Sequence, residues 1–135
     1  MERTLVLIKP DAVEKNLIGA ILSFYENAGL KIIALKMEKV TMEIAEQHYK
    51  EHKGKNFYDN LIKFITRSPL CAIIIEGENV INRVREINGA TNPINQKSGT
   101  IRKLYGTDAT ENCVHASDSM ESAEREIKIW FPNAS

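Results

Sequence analysis

Cysteine is scarce in this chain: two in 135 residues, Cys71 and Cys113, far apart in sequence. Such a pair builds no disulfide framework. Both lie among apolar residues, where a free thiol behaves as a small hydrophobe, and a reducing cytosol fits. Neither sign of charge dominates either. Eighteen Lys and Arg balance eighteen Asp and Glu, so no global field draws the chain to nucleic acid or to an anionic membrane. Affinity for anions has to come from locally gathered cations. No apolar run approaches the roughly 18 residues of a membrane span. The first, residues 5–8, closes at once on Lys9, too short for the core of a signal peptide. Repeats, linkers and low-complexity tracts are absent. The two common glycine-rich phosphate cradles are absent as well. There is no G-x-x-x-x-G-K-[ST], because the Lys97-Ser98 pair follows Gln96, and there is no G-x-G-x-x-G. A phosphate bound by this chain is bound by side chains.

What is present is ordinary globular material, 43% hydrophobic and 27% charged, of a length that suits one domain over residues 1–135. Residues 4–9 read as a buried strand ended by Pro10. Residues 11–28 have helical period, with Val13, Leu17, Ile21, Leu22 and Tyr25 apolar and Gly29 as C-cap. A second strand occupies residues 30–40, and Thr41 caps a polar helix that runs to about His52 and breaks at Gly54. Phe57, Leu61, Ile62, Phe64 and Ile65 mark another helix, stopped before Pro69. Residues 70–76 form a third strand and 80–87 a further helix. Residues 88–100, rich in Asn, Gly, Pro and Ser, form a loop long enough to suggest function. A strand at 112–115 and a last helix close the chain. This order suggests an α/β (α+β) sandwich of ferredoxin-like type, a four-stranded antiparallel sheet covered by helices.

The chain is organised around Asn112-Cys113-Val114-His115-Ala116-Ser117-Asp118-Ser119. Apolar residues end on His115, small polar residues follow, and Met120, Ala123, Ile127 and Trp130 then recur at helical spacing. Asp118 is placed to cap that helix, with Glu121 three residues on as in a capping box. His115 thus stands at a strand end beside a helix N-terminus, where an anion is favoured. It reads either as a phosphoryl-transfer group or as a satisfied structural histidine. Lys9, at another strand end, is a phosphate contact or a solvated terminus. Arg85 and Arg102 bracket the long loop, and their planar forks suit phosphate oxygens. Glu124 and Glu126 both flank the apolar stripe of the last helix; spacing alone does not choose which reaches back to His115.

Two patterns point elsewhere. His48-Tyr49-Lys50-Glu51-His52 matches the H-x-x-E-H zinc-peptidase pattern, although a solvated face of a polar helix explains it as well. Cys113 and His115 alternate on a strand, about 6.6 Å apart at a rise of about 3.3 Å per residue. A thiolate–imidazole pair needs closer approach, so a cysteine hydrolase is discarded.

Taken together, Lys9-Pro10-Asp11-Ala12, His48-Tyr49 with Phe57-Tyr58, Arg85, Thr91-Asn92-Pro93, Gly99-Thr100-Ile101-Arg102 and the stretch from Asn112 to Ser119 resemble the nucleoside diphosphate kinases, collinearly from Arg3 to about Trp130. The resemblance implies that His115 is the nucleophile that carries the phosphate, with Glu126 orienting it and Tyr49 beside the phosphate. It further implies that Lys9, Arg85, Thr91 and Arg102 contact nucleotide phosphates, that Asn112 meets the sugar and that Phe57 stacks on the base. Assembly into tetramers or hexamers follows from the same resemblance. The chain departs from many members at Ala116, where they have Gly, at Ser98, where they have Pro, and at Ala90, where they have an acidic residue. The chemistry expected is transfer of the γ-phosphate of a nucleoside triphosphate to nucleoside diphosphates in two steps, with Mg²⁺ carried on the nucleotide phosphates and no metal ligand in the protein. Stacking on one aromatic face accepts any base. A non-catalytic nucleotide-binding module and a zinc peptidase through His48, Glu51 and His52 are the alternatives.

Overall fold

The computed structural model describes residues 1–89 and 99–134. Strand β1 (Glu2–Ile8) is buried from Thr4 onward and lies inside the sheet, as its continuous apolar run requires. It pairs antiparallel with β3 (Leu70–Gly77) on one side and with the short β4 (Val114–Ala116) on the other; β2 (Lys31–Glu38) adds to the far side of β3. The order β2-β3-β1-β4 is the ferredoxin-like arrangement expected from the sequence.

Alternation along the strands sends side chains to two cores. Val6, Ile8, Ile73 and Ile75 pack on α2 (Ile18–Asn27) and α5 (Val80–Asn88). Leu5, Leu7, Leu70 and Ala72 pack on α3 (Met42–His48), α4 (Tyr58–Thr66) and α7 (Met120–Trp130). Two short helices complete the set, α1 (Pro10–Glu14) and α6 (Ile101–Tyr105).

Several boundaries differ from the expectation. The helix expected over 11–28 is two helices, α1 and α2, because Asn16 turns left-handed (φ 61) between them, a conformation asparagine tolerates. Gly29 (φ 80) is the residue after the C-cap Ala28. The N–H of Leu30 reaches the carbonyl of Tyr25 and that of Gly29 reaches Glu26, which closes α2 with a Schellman motif. The helix expected to reach His52 ends at His48, and a 3-10 turn (Lys50–His52) follows. Asp118 is not the cap of α7. Ser119 is, its side chain accepting from the N–H of Ser122 at 3.0 Å, so the Asp118–Glu121 box does not form.

Candidate active site

Antiparallel pairing of β1 with β4 sets Leu7 opposite His115. Lys9, two residues past Leu7, therefore follows on the same face of the sheet as His115. Next to β4 the chain is clamped three ways. The Lys9 N–H donates to the carbonyl of Cys113 at 2.7 Å, the Cys113 N–H donates to Asp11 Oδ2 at 3.0 Å, and Lys9 Nζ donates to Asn112 Oδ1 at 2.9 Å. Cys113 itself is not in the strand: it sits in a left-handed turn (φ 76) just before it. Burial, then the charge of Asp11, pushes its thiol up to about 12, so it stays a neutral hydrophobe.

These contacts open a cleft of about 1590 Å³ whose walls include Lys9, Tyr49, Phe57, Arg85, Asn112 and His115. His115 Nε2 and Glu126 Oε1 stand 2.8 Å apart. Glu126 Oε1 also accepts from Ser117 Oγ at 2.8 Å, and Ser117 Oγ accepts from the Leu5 N–H at 3.3 Å. A chain of hydrogen bonds thus runs from β1 through Ser117 and Glu126 to His115. Glu126 faces inward on α7 and is buried, whereas Glu124 is exposed, which resolves the choice that spacing left open.

Lys9 is 6% exposed. Burial first, and the nearby Arg102 second, lower its ammonium from 10.5 to about 8. Arg102 donates to the carbonyls of Gly89 (2.6 Å) and Val114 (2.7 Å), tying the end of α5 to β4. Its charge faces the cleft while two of its N–H groups hold backbone, an arrangement the sequence did not suggest. Arg85 projects from α5 and is exposed at the cleft. Tyr49 is buried with its ring 4.8 Å from that of His48, and burial raises its hydroxyl well above the ordinary range. Phe57 is 45% exposed at the mouth, with the His52 ring 5.3 Å away and Lys55 over its face. Asn112 is buried, its Nδ2 donating to the carbonyl of Ala109. Thr91, Ser98 and Ala90 lie outside the described residues.

The zinc-peptidase trio does not converge. His48 is 4% exposed and turned inward, Glu51 pairs with Arg125 at 3.2 Å, and His52 Nδ1 meets Lys55 at 3.2 Å. Helix α3 is therefore not polar all round: Ala45, His48 and Tyr49 form a buried stripe at i, i+3 and i+4. That spacing was the available signal for His48. Among the described residues its ligand atom lies within 4.8 Å of those of His115 and Glu126.

With this geometry in view, comparison with known proteins decides the kinship. The family model described as Nucleoside diphosphate kinase matches residues 2–135. The chain belongs to the nucleoside diphosphate kinase family. Curated relatives carry that name, among them the following two. A nucleoside diphosphate kinase of Clostridium perfringens is 61% identical over 132 residues, 98% of this chain and 92% of its own length. One of Staphylococcus epidermidis is 53% identical over 134 residues, 99% of this chain and 90% of its own length. The crystal structure of the Aquifex aeolicus nucleoside diphosphate kinase superposes with a TM-score of 0.93 at 43% identity, covering 96% of this chain and 94% of that one. As a nucleoside diphosphate kinase family member the chain is an enzyme, a phosphotransferase.

Proposed function

We propose that the protein moves the γ-phosphate of ATP onto nucleoside diphosphates by a ping-pong route through His115. The 2.8 Å contact between His115 Nε2 and Glu126 Oε1, at the wall of a cleft carrying Lys9 and Arg85, supports this most directly. With the proton on Nε2 and held by Glu126, the lone pair is on Nδ1. Nδ1 attacks the γ-phosphorus. The N–P bond forms as the bond to the β–γ bridging oxygen breaks, and the nucleoside diphosphate leaves with that electron pair. The positive charge left on the ring is balanced by Glu126. A second nucleoside diphosphate then takes the phosphate by the reverse of these steps.

Lys9, Arg85 and Arg102 place positive charge around the phosphates, and Thr91 adds a hydroxyl. Tyr49 borders the phosphate, and Asn112 beside Lys9 meets the sugar. Phe57, half exposed at the mouth, offers its face to the base without reading its edge. A magnesium ion would be carried by the nucleotide phosphates. The carboxylate beside the nucleophile, Glu126, is already engaged by His115 and Ser117, so the donor set suits an ion held by phosphate oxygens. When bound, the ion neutralises phosphate charge. Copies of the chain assemble into a homo-oligomer of four or six.

Brief incubation with γ-labelled ATP is expected to leave acid-labile, alkali-stable label on the protein and none on His115→Ala. ADP, GDP, CDP and UDP should each discharge it at rates in one range. An unlabelled protein would refute the ping-pong route, and discharge by a single base would refute stacking on Phe57.

A further inference from the structure

One buried titratable group at the cleft has no part in the steps above. The ring of His48 stands at 82° to that of His115, with centroids 4.5 Å apart, and on another side it meets Trp130 at 5.5 Å and 75°. The indole Nε1–H of Trp130 donates to His48 Nδ1 at 3.1 Å in a buried bond. An indole N–H can only donate, so Nδ1 must present its lone pair. A neutral imidazole carries one N–H, which here sits on Nε2. Trp130 lies four residues after Glu126, so the two share one face of α7. That face holds a carboxylate against His115 and an indole against its neighbour.

A hydrogen bond to Glu126 fixes one corner of the His115 ring and leaves the ring free to rock about that corner. A second ring set perpendicular to it fixes the plane. We propose that His48, held in its Nε2–H form by Trp130, is a positioning residue that sets the plane of the His115 imidazole so that Nδ1 faces the incoming phosphate. The inference rests on His115 being the nucleophile. Neutrality of His48 matters, because attack leaves positive charge on the His115 ring and a second imidazolium there would oppose it. The groups facing His48 are His115 from β4, Lys9 beyond β1, Glu126 and Arg125 from α7, His52 from the 3-10 turn and Tyr49 on its own helix. Burial, reinforced by His115, Lys9, Arg125 and His52, keeps the ring well below the ordinary histidine range. A metal ion at Nε2 is disfavoured by the same bond, since a ligating histidine ordinarily donates from its other nitrogen, and here that nitrogen accepts.

The test joins a spectroscopic and a kinetic measurement on the whole chain. Nitrogen-15 NMR is expected to show His48 with a bare Nδ1 and a protonated Nε2, unchanged from pH 8 to pH 6. In single-turnover labelling with ATP, His48→Ala is expected to lose roughly tenfold in the rate constant at saturating ATP, with less than about a twofold change in half-saturation, since misplacement acts on the step and not on binding. His48→Asn, whose amide oxygen still accepts from Trp130 and whose flat amide replaces only part of the ring beside His115, should recover part of that loss. Trp130→Phe should behave as His48→Ala does and lose the Nε2–H signature. A proton on His48 Nδ1 in the unaltered protein would overturn the proposal. So would variants whose defect lies only in half-saturation, or His48→Asn no better than His48→Ala. Should His48→Ala not fold, His48→Asn, Trp130→Phe and the NMR signature decide. An unaltered protein that takes no label refutes the ping-pong reading instead, and leaves the tautomer result standing by itself.

Discussion

Lys9 is caught between two requirements. The phosphate contact proposed for it asks for positive charge, yet the fold buries it beside Arg102, and its ammonium drops from 10.5 to about 8. A fall of that size corresponds to about 3 kcal/mol. Between pH 8 and 10.5 the unfolded chain holds a proton on this amine that the folded chain has released, so Lys9 makes the fold relatively more stable as pH rises through that window. The gain is lost again as pH falls through 8. Activity has the opposite sign, because the charged form is the useful one. We expect kcat/KM to fall about tenfold per unit above roughly pH 8, as one deprotonation requires. The limb should be missing from kcat at saturating nucleotide, since a bound phosphate draws the proton back. A profile of kcat/KM flat to pH 9.5 would contradict it. The position of Lys9 at a strand end was legible in the sequence, as were the arginines. Its depressed pKa was not, because it depends on Arg102 and on burial that only the fold creates. The commitment of Arg102 to two carbonyls was hidden for the same reason.

Among the elements, strands β1 and β3 were plain because both are continuous apolar runs. Three other features escaped for local reasons. Asn16 interrupts a helical period that the apolar pattern carries across it. The five residues of α6 are too few to show a period, and their cap at Thr100 is visible only when its hydroxyl meets the Lys103 N–H. At the start of α7, Asp118 and Ser119 are both good cap residues, and only backbone geometry chooses Ser119. That choice is testable. Ser119→Ala should cost about 1 kcal/mol in chemical denaturation. Asp118→Ala should cost less, because Asp118 acts through charge near the helix start and not by capping. Its carboxyl lies below the usual range chiefly through the Ser122 hydroxyl. Equal losses from the two substitutions would count against Ser119 as the cap.

In the molecule as a whole, the candidate site is assembled from the end of β1, the short strand β4, one face of α7, Arg85 of α5, Arg102 of α6 and the stripe of α3. The sequence motif names the residues around β4, but nothing in a linear pattern places His48, 67 positions earlier, against His115. Among the described residues, the same topology leaves apolar side chains exposed on an outer strand. In the order β2-β3-β1-β4, β2 is an outer strand. Its Ile33, Leu35 and Met37 alternate onto one side and are 37%, 50% and 53% exposed. An outer strand with apolar side chains is a template for another strand, and pairing with the same strand of a second copy is self-complementary about a two-fold axis. Such an interface gains up to about 1.5–3 kcal/mol for each of these side chains it fully buries. We expect the protein to elute as an oligomer and the double variant Leu35→Lys, Met37→Glu to elute as a monomer that keeps its fold, read by light scattering and circular dichroism. The charged groups sit on a side chain row already open to water, so burying them in an interface costs desolvation while the core stays untouched. An unaltered protein that is monomeric at micromolar concentration would remove the need for any partner on this edge, and an oligomer unmoved by both charges would place the interface elsewhere.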